Sequence, residues 1–275
     1  MSDTPLNLDQ LAAFVLSKEG PRLAVLNTVK NAAVLANHLH HNGVDTLHLS
    51  TALTPNDRTQ IIQMILDKLA RDPDGDWVLV ATSCIEAGMD FSFRSGFREH
   101  ASLNSLVQTG GRVNRNAGWK AAEVWSVRLA DDKFTQNPAF LTSQQVLASY
   151  IDHSKWGDLP DLSTNSLQRE FATQPSIAAT ANTLVQLEKS MGYPAVAARY
   201  RVITDQRSTV VINNEIAARI RSGEPVRWHE VQLHSVQLRD KLIADLALPQ
   251  VVDGIYDWQD RAYDPDLLGY MLLLL

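Results

Sequence analysis

Cysteine is almost absent from this sequence. Cys84 is the one cysteine among 275 residues, so the chain cannot form an internal disulfide, which is typical of intracellular proteins. No general base is evident near Cys84, and we interpret it as a small core residue. The histidines and cysteines show no paired spacing of a zinc site, so we expect no metal ligands here. His40 and His41 are interpreted as the end of a helix.

Long hydrophobic runs are lacking as well. The first ten residues, MSDTPLNLDQ, contain neither the basic nor the apolar region of a signal peptide. The apolar C-terminus, LLGYMLLLL, is far too short to cross a bilayer. We therefore expect a cytoplasmic protein that makes no membrane contact, with a buried helix at its C-terminus.

An overall excess of basic residues is also missing. The formal net charge is −6, which excludes a generic basic coat for nucleic acid but leaves room for a local basic groove. Between positions 94 and 128 the sequence has six basic and two acidic residues. This local excess favours a surface that faces phosphate groups.

Several nucleotide-binding motifs are absent. No glycine is followed by lysine, so the chain has no G-x-x-x-x-G-K-[ST] phosphate loop, and it has no G-x-G-x-x-G dinucleotide motif. It also has no Asp-Glu dipeptide of the kind that holds magnesium in nucleic-acid motors, and no His-Asp dipeptide. These absences exclude a self-contained motor of the usual design.

What is present is an alternation of short apolar runs with amphipathic segments. We predict strands at 22–27, 44–49, 76–82 and 121–130, with helices over 28–41 and from Pro55, where Thr54 is the N-cap. This alternation predicts a parallel sheet with right-handed crossovers. We place this α/β domain at 1–130, a helical linker at 131–195 and a small α+β domain at 196–275, where alternating residues predict strands around 193–215 and 226–238.

Ligands of open parallel sheets lie beyond the carboxyl ends of the strands. Polar residues and glycines follow the first three predicted strands at these points. Hydroxyl groups and helix N-termini there are suited to phosphate groups, although such hydroxyls commonly serve only as helix caps. The candidates are Asn27, Thr28, Ser50, Thr51, Thr54, Thr82, Glu86, Gly88 and Asp90.

The stretch QTGGRVNR, residues 108–115, carries the strongest single signal. We predict a helix from Leu103 through Arg115, which would place Gln108, Arg112 and Arg115 on one side. Each internal glycine costs a helix about 1 kcal/mol relative to alanine, a cost that is tolerated where a ligand or another backbone approaches closely. Two arginines beside such a gap suit a polyphosphate. The alternative is a solvated helix face.

Taken together, these segments resemble a known family. VLVATSCIEAGMDFSF resembles the fifth motif of superfamily-two helicases and QTGGRVNR the sixth, while LAVLNTVKNAAVLANHL and LHLSTALTPNDR resemble preceding motifs. The order NTV, TP-x-DR, EAG-x-D, Q-x-GGR-x-NR is similar to that of the CRISPR-associated helicase-nuclease of type I interference. Two later segments, YPAVAARYRVITD and YDPDLLGYM, resemble its C-terminal part.

The resemblance implies the C-terminal half of such a helicase, with a RecA-like domain that lacks its own P-loop. Arg112 and Arg115 would be arginine fingers for ATP with Mg²⁺ bound mainly by another domain, while Asp90 would contact the ribose. Gln108, Gly111, Gly88 and Glu86 would also lie at the nucleotide. The implied contacts to single-stranded DNA are Asn27, Thr28, Ser50, Thr51 and Thr82.

The implied activity is ATP-driven 3′-to-5′ translocation on single-stranded DNA. It would require a separate half with the first RecA-like domain and the His-Asp nuclease, and a Cascade-type surveillance complex as partner. Without Walker A and Walker B motifs we expect this chain to be inactive alone. The alternatives are a non-catalytic DNA-binding or regulatory protein derived from that helicase, or an unrelated nucleotide-binding α/β protein.

Overall fold

The structure is a computed structural model that describes residues 4–86, 88–152, 158–173, 175–200 and 206–275. The chain forms two compact units. The first contains residues 1–100, 105–137 and 207–275, and the second contains residues 101–104 and 138–206. Each unit is described by itself.

A five-stranded parallel sheet is the centre of the first unit. Its strands are β1 Arg22–Leu26, β2 Thr46–Leu49, β3 Val78–Thr82, β4 Ser95–Glu99 and β5 Glu123–Val127, in the order β2-β3-β1-β4-β5. Every residue of β1 to β4 is buried. Because helices cover both faces of the sheet, this burial explains the apolar runs of β1 and β3. The four predicted strands are confirmed, and β4 is an additional one.

Four helices accompany this sheet: α1 Leu8–Leu16, α2 Val29–His41, α3 Pro55–Arg71 and α4 Leu103–Gly110. Helices α1 and α2 pack on one face of the sheet, where Leu11 and Leu35 join the core, and Ile61 and Ile65 of α3 pack on the other. The predicted N-cap Thr54 is confirmed, and α2 ends at the predicted histidine pair. The sequence thus predicted the layers of this α/β unit.

The second unit is helical. It contains α5 Leu141–Asp152, α6 Leu159–Thr173, α7 Pro175–Lys189 and α8 Tyr193–Arg199, and consecutive helices pack against each other. The guanidinium of Arg169 lies 4.8 Å from the ring centre of Tyr150. The helical character predicted for this stretch is confirmed. The strand prediction at 193–199 was wrong because those residues form α8, and residues 201–205 lie outside the described ranges.

The remainder of the first unit builds a second, mixed sheet. Its strands are β6 Arg207–Val211, β7 Ser235–Arg239, β8 Gln250–Val252 and β9 Ile255–Asp257, in the order β7-β6-β9-β8, with helices α9 Asn214–Arg221, α10 Trp228–Leu233 and α11 Asp240–Asp245. The predicted α+β character is confirmed. The predicted strand over 226–238 is only partly right, because its first half forms α10.

The C-terminal segment, residues 263–271, packs against the loop after β2. Gly269 has a φ of +58°, and the N–H of Tyr270 donates to the carbonyl of Ala52 at 3.2 Å. A Cβ at Gly269 would lie 2.1 Å from that carbonyl oxygen, so the close approach requires glycine. The predicted terminal helix is reduced to a 3₁₀ turn, Tyr270–Leu273, that buries Tyr270 and Met271 but exposes Leu272.

Candidate functional site

The carboxyl ends of β1, β2 and β3 lie side by side. Leu26 is paired with Thr82 and Leu49 with Ala81, so the loops that follow these strands emerge at one edge of the sheet. This is the edge at which parallel α/β sheets bind ligands. The predicted DNA contacts and part of the predicted nucleotide site belong to these loops.

Three of the four hydroxyl groups among the predicted DNA contacts, those of Thr28, Ser50 and Thr82, already have local partners. The Oγ1 of Thr28 accepts from the Asn31 N–H at 3.0 Å and caps α2, while the Oγ of buried Ser50 accepts from the Ala52 N–H at 3.1 Å. The Thr82 hydroxyl donates to the sulfur of Cys84 at 3.4 Å. These bonds match the capping alternative that the sequence left open, and contact with DNA remains a prediction.

Access to solvent differs among the five predicted DNA contacts. Thr51 is exposed, Asn27 and Thr28 are half-buried, and Ser50 and Thr82 are buried. A phosphate approaching this edge would therefore meet Thr51 first. Cys84, in turn, packs against the core as predicted, and burial raises the pKa of its thiol.

Helix α4 ends at Gly110, so the predicted helix through Arg115 was wrong. Beyond it the chain turns and pairs with the segment after β3. The N–H of Phe93 donates to the carbonyl of Arg112, and the N–H of Asn114 donates to the carbonyl of Phe93, each at 2.8 Å. Two glycines weaken the helix where this pairing begins, so Arg112 and Arg115 do not share a helix face.

The two arginines have opposite surroundings. The side chain of Arg112 is buried, and its Nε and Nη2 donate to the carbonyls of Ile85 and Glu86 at 3.3 and 2.9 Å. The side chain of Arg115 is 44% exposed, and its Nε lies 2.6 Å from a carboxylate oxygen of Asp90, which is 81% exposed. Arg112 thus fastens the loop after β3, while Arg115 remains accessible.

The glycines of QTGGRVNR are not required by the packing of their own chain. A Cβ at Gly110 would meet only the Cγ2 of Val124 at 4.0 Å, and one at Gly111 would lie 3.4 Å from the Gln108 carbonyl. Gly111 and Gln108 are exposed, as is Gly88, whose φ of +74° does require glycine. A Cβ at Gly111 would be in ordinary contact with the carbonyls of Gln108 and Val107, and the close approach of something outside this chain stays a prediction.

A buried polar cluster at this edge was missed by the sequence reasoning. Arg98 of β4 is 1% exposed, its Nη1 donates to the Asn27 Oδ1 at 2.6 Å, and its Nε lies 3.2 Å from the Glu86 carboxylate. Glu99 accepts from the Asn27 N–H at 2.7 Å and from the Asn31 side chain at 3.2 Å. Burial raises the pKa of Glu86 and of Glu99 and lowers that of Arg98.

The carboxylate of Glu86, a predicted nucleotide contact, therefore faces Arg98. The available signal was the adjacent charged pair Arg98 and Glu99 in SGFRE, residues 95–99, a stretch for which we predicted no strand.

The C-terminal segment braces the same edge. The Tyr263 hydroxyl donates to Asp57 at 2.5 Å and accepts from the N–H of Thr54 at 2.8 Å, which holds the start of α3. His48, buried in β2, bonds through Nδ1 to the carbonyl of Leu267 at 2.5 Å. Burial lowers the pKa of His48 to about 4, so its ring is neutral at pH 7 and donates this bond.

The described residues contain neither a metal-binding cluster nor a membrane-spanning helix. Among the ranges that the structure describes, no group of three or more His, Cys, Asp or Glu side chains is placed to hold a metal ion. In the same ranges no helix has the length and apolar character needed to cross a membrane.

Residues 18–118 match the family model for the C-terminal part of the CRISPR-associated nuclease/helicase Cas3. A curated relative, the CRISPR-associated nuclease/helicase Cas3 of Haloferax volcanii, is 37% identical over 94 residues, which are 33% of this chain and 10% of that protein.

Solved structures match over most of this chain. The crystal structure of T. fusca Cas3 aligns with a TM-score of 0.63 at 14% identity, covering 94% of this chain and 38% of that one. The T. fusca Cas3-AMPPNP structure gives 0.60 at 14% identity, with 94% and 36% covered. A chain of a CRISPR RNA-guided surveillance complex, pre-nicking, gives 0.55 at 12% identity, with 91% and 38% covered. The chain thus spans less than two fifths of these relatives.

The comparisons support a Cas3 helicase C-terminal half, and the five-stranded parallel sheet is like that of its RecA-like domain. The resemblance and the fold class predicted from the sequence are confirmed.

Proposed function

We propose that this C-terminal half of a Cas3-type helicase forms one wall of an ATP-hydrolysing cleft and one wall of a channel for single-stranded DNA. Arg112 and Arg115 face the triphosphate of ATP with Mg²⁺, which a separate first RecA-like domain holds. The pairing of Arg115 with Asp90 carries this proposal, since it joins the sixth motif to the fifth in an accessible place. An exposed guanidinium can exchange its carboxylate for phosphate oxygens.

The two arginines take different parts in this cleft. Arg115 is already accessible, so it serves as the finger that meets the transferred phosphate. Arg112 must first release the carbonyls of Ile85 and Glu86, or it acts by holding their loop against the nucleotide. Gln108 and Gly111 are exposed and line the cleft, and Gly88 lets the backbone approach the nucleotide. These points, together with the T. fusca Cas3-AMPPNP match, support ATP as the ligand.

The DNA wall consists of the loops after β1, β2 and β3. Thr51, Asn27 and Thr28 contact the phosphate backbone directly, while Ser50 and Thr82 shape the loops that present them. Backbone contacts carry no sequence information, so binding is independent of base sequence. The partners are the half with the first RecA-like domain and His-Asp nuclease, and a Cascade-type surveillance complex.

The test is ATP turnover with single-stranded DNA, measured for this chain alone, for its complementary half alone and for the mixture. We expect turnover in the mixture to fall by about 10³-fold in Arg115→Ala, as on removal of an arginine finger. Arg71→Ala, which removes an exposed, ion-paired arginine of α3, is the matched control and retains turnover. Robust turnover by this chain alone that Arg112→Ala abolishes would refute the dependence on a partner.

The second candidate is a non-catalytic regulator that binds single-stranded DNA or the surveillance complex. The internal bonds of Arg112 favour it, because a guanidinium committed to its own loop is withheld from a nucleotide. The mixing experiment separates the two functions. A regulator would compete with the helicase for DNA and restore no turnover.

A further inference from the structure

A continuous polar chain runs beneath the carboxyl edge of the parallel sheet. It begins at Arg112, whose Nη2 donates to the carbonyl of Glu86 at 2.9 Å. The carboxylate of Glu86 lies 3.2 Å from the Nε of Arg98, and the Nη1 of Arg98 donates to Asn27 at 2.6 Å. These contacts pass from the sixth motif to the loop after β3, then to β4 and then to the loop after β1, so the sixth motif is connected to the loop after β1.

The chain continues from Asn27 into α2. The N–H of Asn27 donates to Glu99 at 2.7 Å, and Glu99 also accepts from Asn31. The side chain of Asn31 exchanges two hydrogen bonds with the backbone of Thr135, at 2.8 and 3.1 Å, while its own N–H is capped by Thr28. The loop that holds Asn27 and Thr28 is therefore fixed from below by buried side chains.

A gain in stability does not by itself explain why these charged side chains are buried together. Desolvation of buried ions can cost as much as their attraction returns, and apolar replacements of similar volume are often neutral or stabilising. One guanidinium here is paired with the Glu86 carboxylate and is attracted by the charge of Glu99, and its fork of donors reaches Glu86 and Asn27 at once. A lysine has a single charged point and cannot span both partners.

We propose that Arg98 is a positioning residue that ties the nucleotide-facing loop, residues 83–86 and 88–90, to the DNA-facing loop, which consists of residues 27 and 28 and continues into the first turn of α2 as far as residue 31. Arg98 contacts neither ligand. Because Arg98 is bonded to both loops, a displacement of one loop displaces the other. This inference rests on the proposed function in one respect, which is that the ligands of the two loops are taken to be the nucleotide and the DNA.

Hydrogen–deuterium exchange of the chain tests the connection directly. In Glu86→Gln the charge contact to Arg98 weakens with little change in volume, so amides of residues 27–31 exchange about tenfold faster, although the change lies on the other loop. In Arg98→Lys both loops exchange about tenfold faster. Amides of β6 and β7 keep their protection in both variants.

Arg22→Lys is the matched control. Arg22 is buried in β1 at the opposite edge of the same sheet, where its Nη1 lies 2.6 Å from Asp76, and its replacement leaves both loops unchanged. An effect of Glu86→Gln confined to residues 83–90 would overturn the proposal. So would equal loss of protection throughout the sheet in Arg98→Lys, which indicates a merely structural residue.

Turnover of the mixed halves supplies a functional readout. Arg98→Lys raises the single-stranded DNA concentration for half-maximal stimulation about tenfold, and Arg22→Lys leaves it unchanged. An unchanged DNA requirement in Arg98→Lys overturns the positioning role. If the mixed halves hydrolyse no ATP, the proposed function fails, while the exchange experiment still decides the connection between the loops.

Discussion

The parallel sheet contains buried arginines at both ends of its strands, which we call its amino edge and its carboxyl edge. The carboxylate partners of these arginines differ in their exposure to solvent. At the amino edge the carboxylate partner of Arg22 is Asp76, which is 86% exposed. At the carboxyl edge Arg98 has Glu86, 11% exposed, and the buried Glu99 lies beside it. A carboxylate in water can be rehydrated when its partner is lost, but a buried one cannot. We therefore expect the first edge to tolerate the loss of its arginine better than the second, where the charged groups are buried and connected.

Removal of the buried cation should have the largest effect on stability. Arg98→Met leaves Glu86 and Glu99 without their cation, and we expect unfolding free energy to fall by about 3–5 kcal/mol. Arg22→Met should cost about 1–2 kcal/mol, chiefly in lost hydrogen bonds. Urea denaturation at pH 7 measures both. Equal losses would break the distinction between the edges.

The next effect concerns the C-terminal segment that braces the carboxyl edge. Gly269→Ala places a Cβ against the carbonyl of Ala52 at a positive φ, and we expect a loss of about 4 kcal/mol. Gly254→Ala has a similar φ, +73°, with open space around it, so it should cost about 1 kcal/mol. Urea denaturation of the two variants separates the cost of the contact with Ala52 from the cost of a positive φ at an alanine. A similar loss in both would show that the approach to Ala52 is unimportant.

A third prediction uses His48, which bonds to that segment. Its pKa is lowered from 6.5 to about 4 by burial, so the unfolded chain binds the proton more readily. The stabilisation is complete above pH 6.5 and is lost as pH falls toward 4, by about 3 kcal/mol. His48→Gln should flatten this decline in urea denaturation between pH 7 and 4, whereas His229→Gln, at an exposed position, should not. An unchanged decline in His48→Gln would contradict the assignment.

Local signals predicted most of the layers of the α/β unit. Thr54 and Pro55 mark the start of α3 by their own chemistry, and the apolar runs of β1 and β3 follow from burial on both faces. Strand β4 was missed because Arg98 and Glu99 are buried only through partners far along the chain. No pattern within SGFRE could name those partners.

The sequence predicted which loops form the site, but it did not predict the contacts that the side chains of these loops make. Parallel strand order alone brings the loops after β1 and β3 together. The end of α4 at Gly110 depends on pairing between Phe93 and the Arg112–Asn114 backbone, which no helical spacing reveals. As a result, the sequence analysis assigned the same role to Arg112 and Arg115, whereas Arg112 is buried and Arg115 is accessible.

The difference in burial between Arg112 and Arg115 leads to the last prediction, which includes the smallest expected change in stability. Arg115→Ala removes an exposed ion pair with Asp90 and an exposed hydrogen bond to the Gly111 carbonyl at 3.3 Å, so unfolding free energy should change by less than about 0.5 kcal/mol. Arg112→Ala removes two hydrogen bonds inside the fold and should cost about 2 kcal/mol. Thermal and urea unfolding of this chain measure both without any partner. Equal destabilisation would mean that Arg115 is held by the fold after all, and an arginine so held is not free to serve a nucleotide.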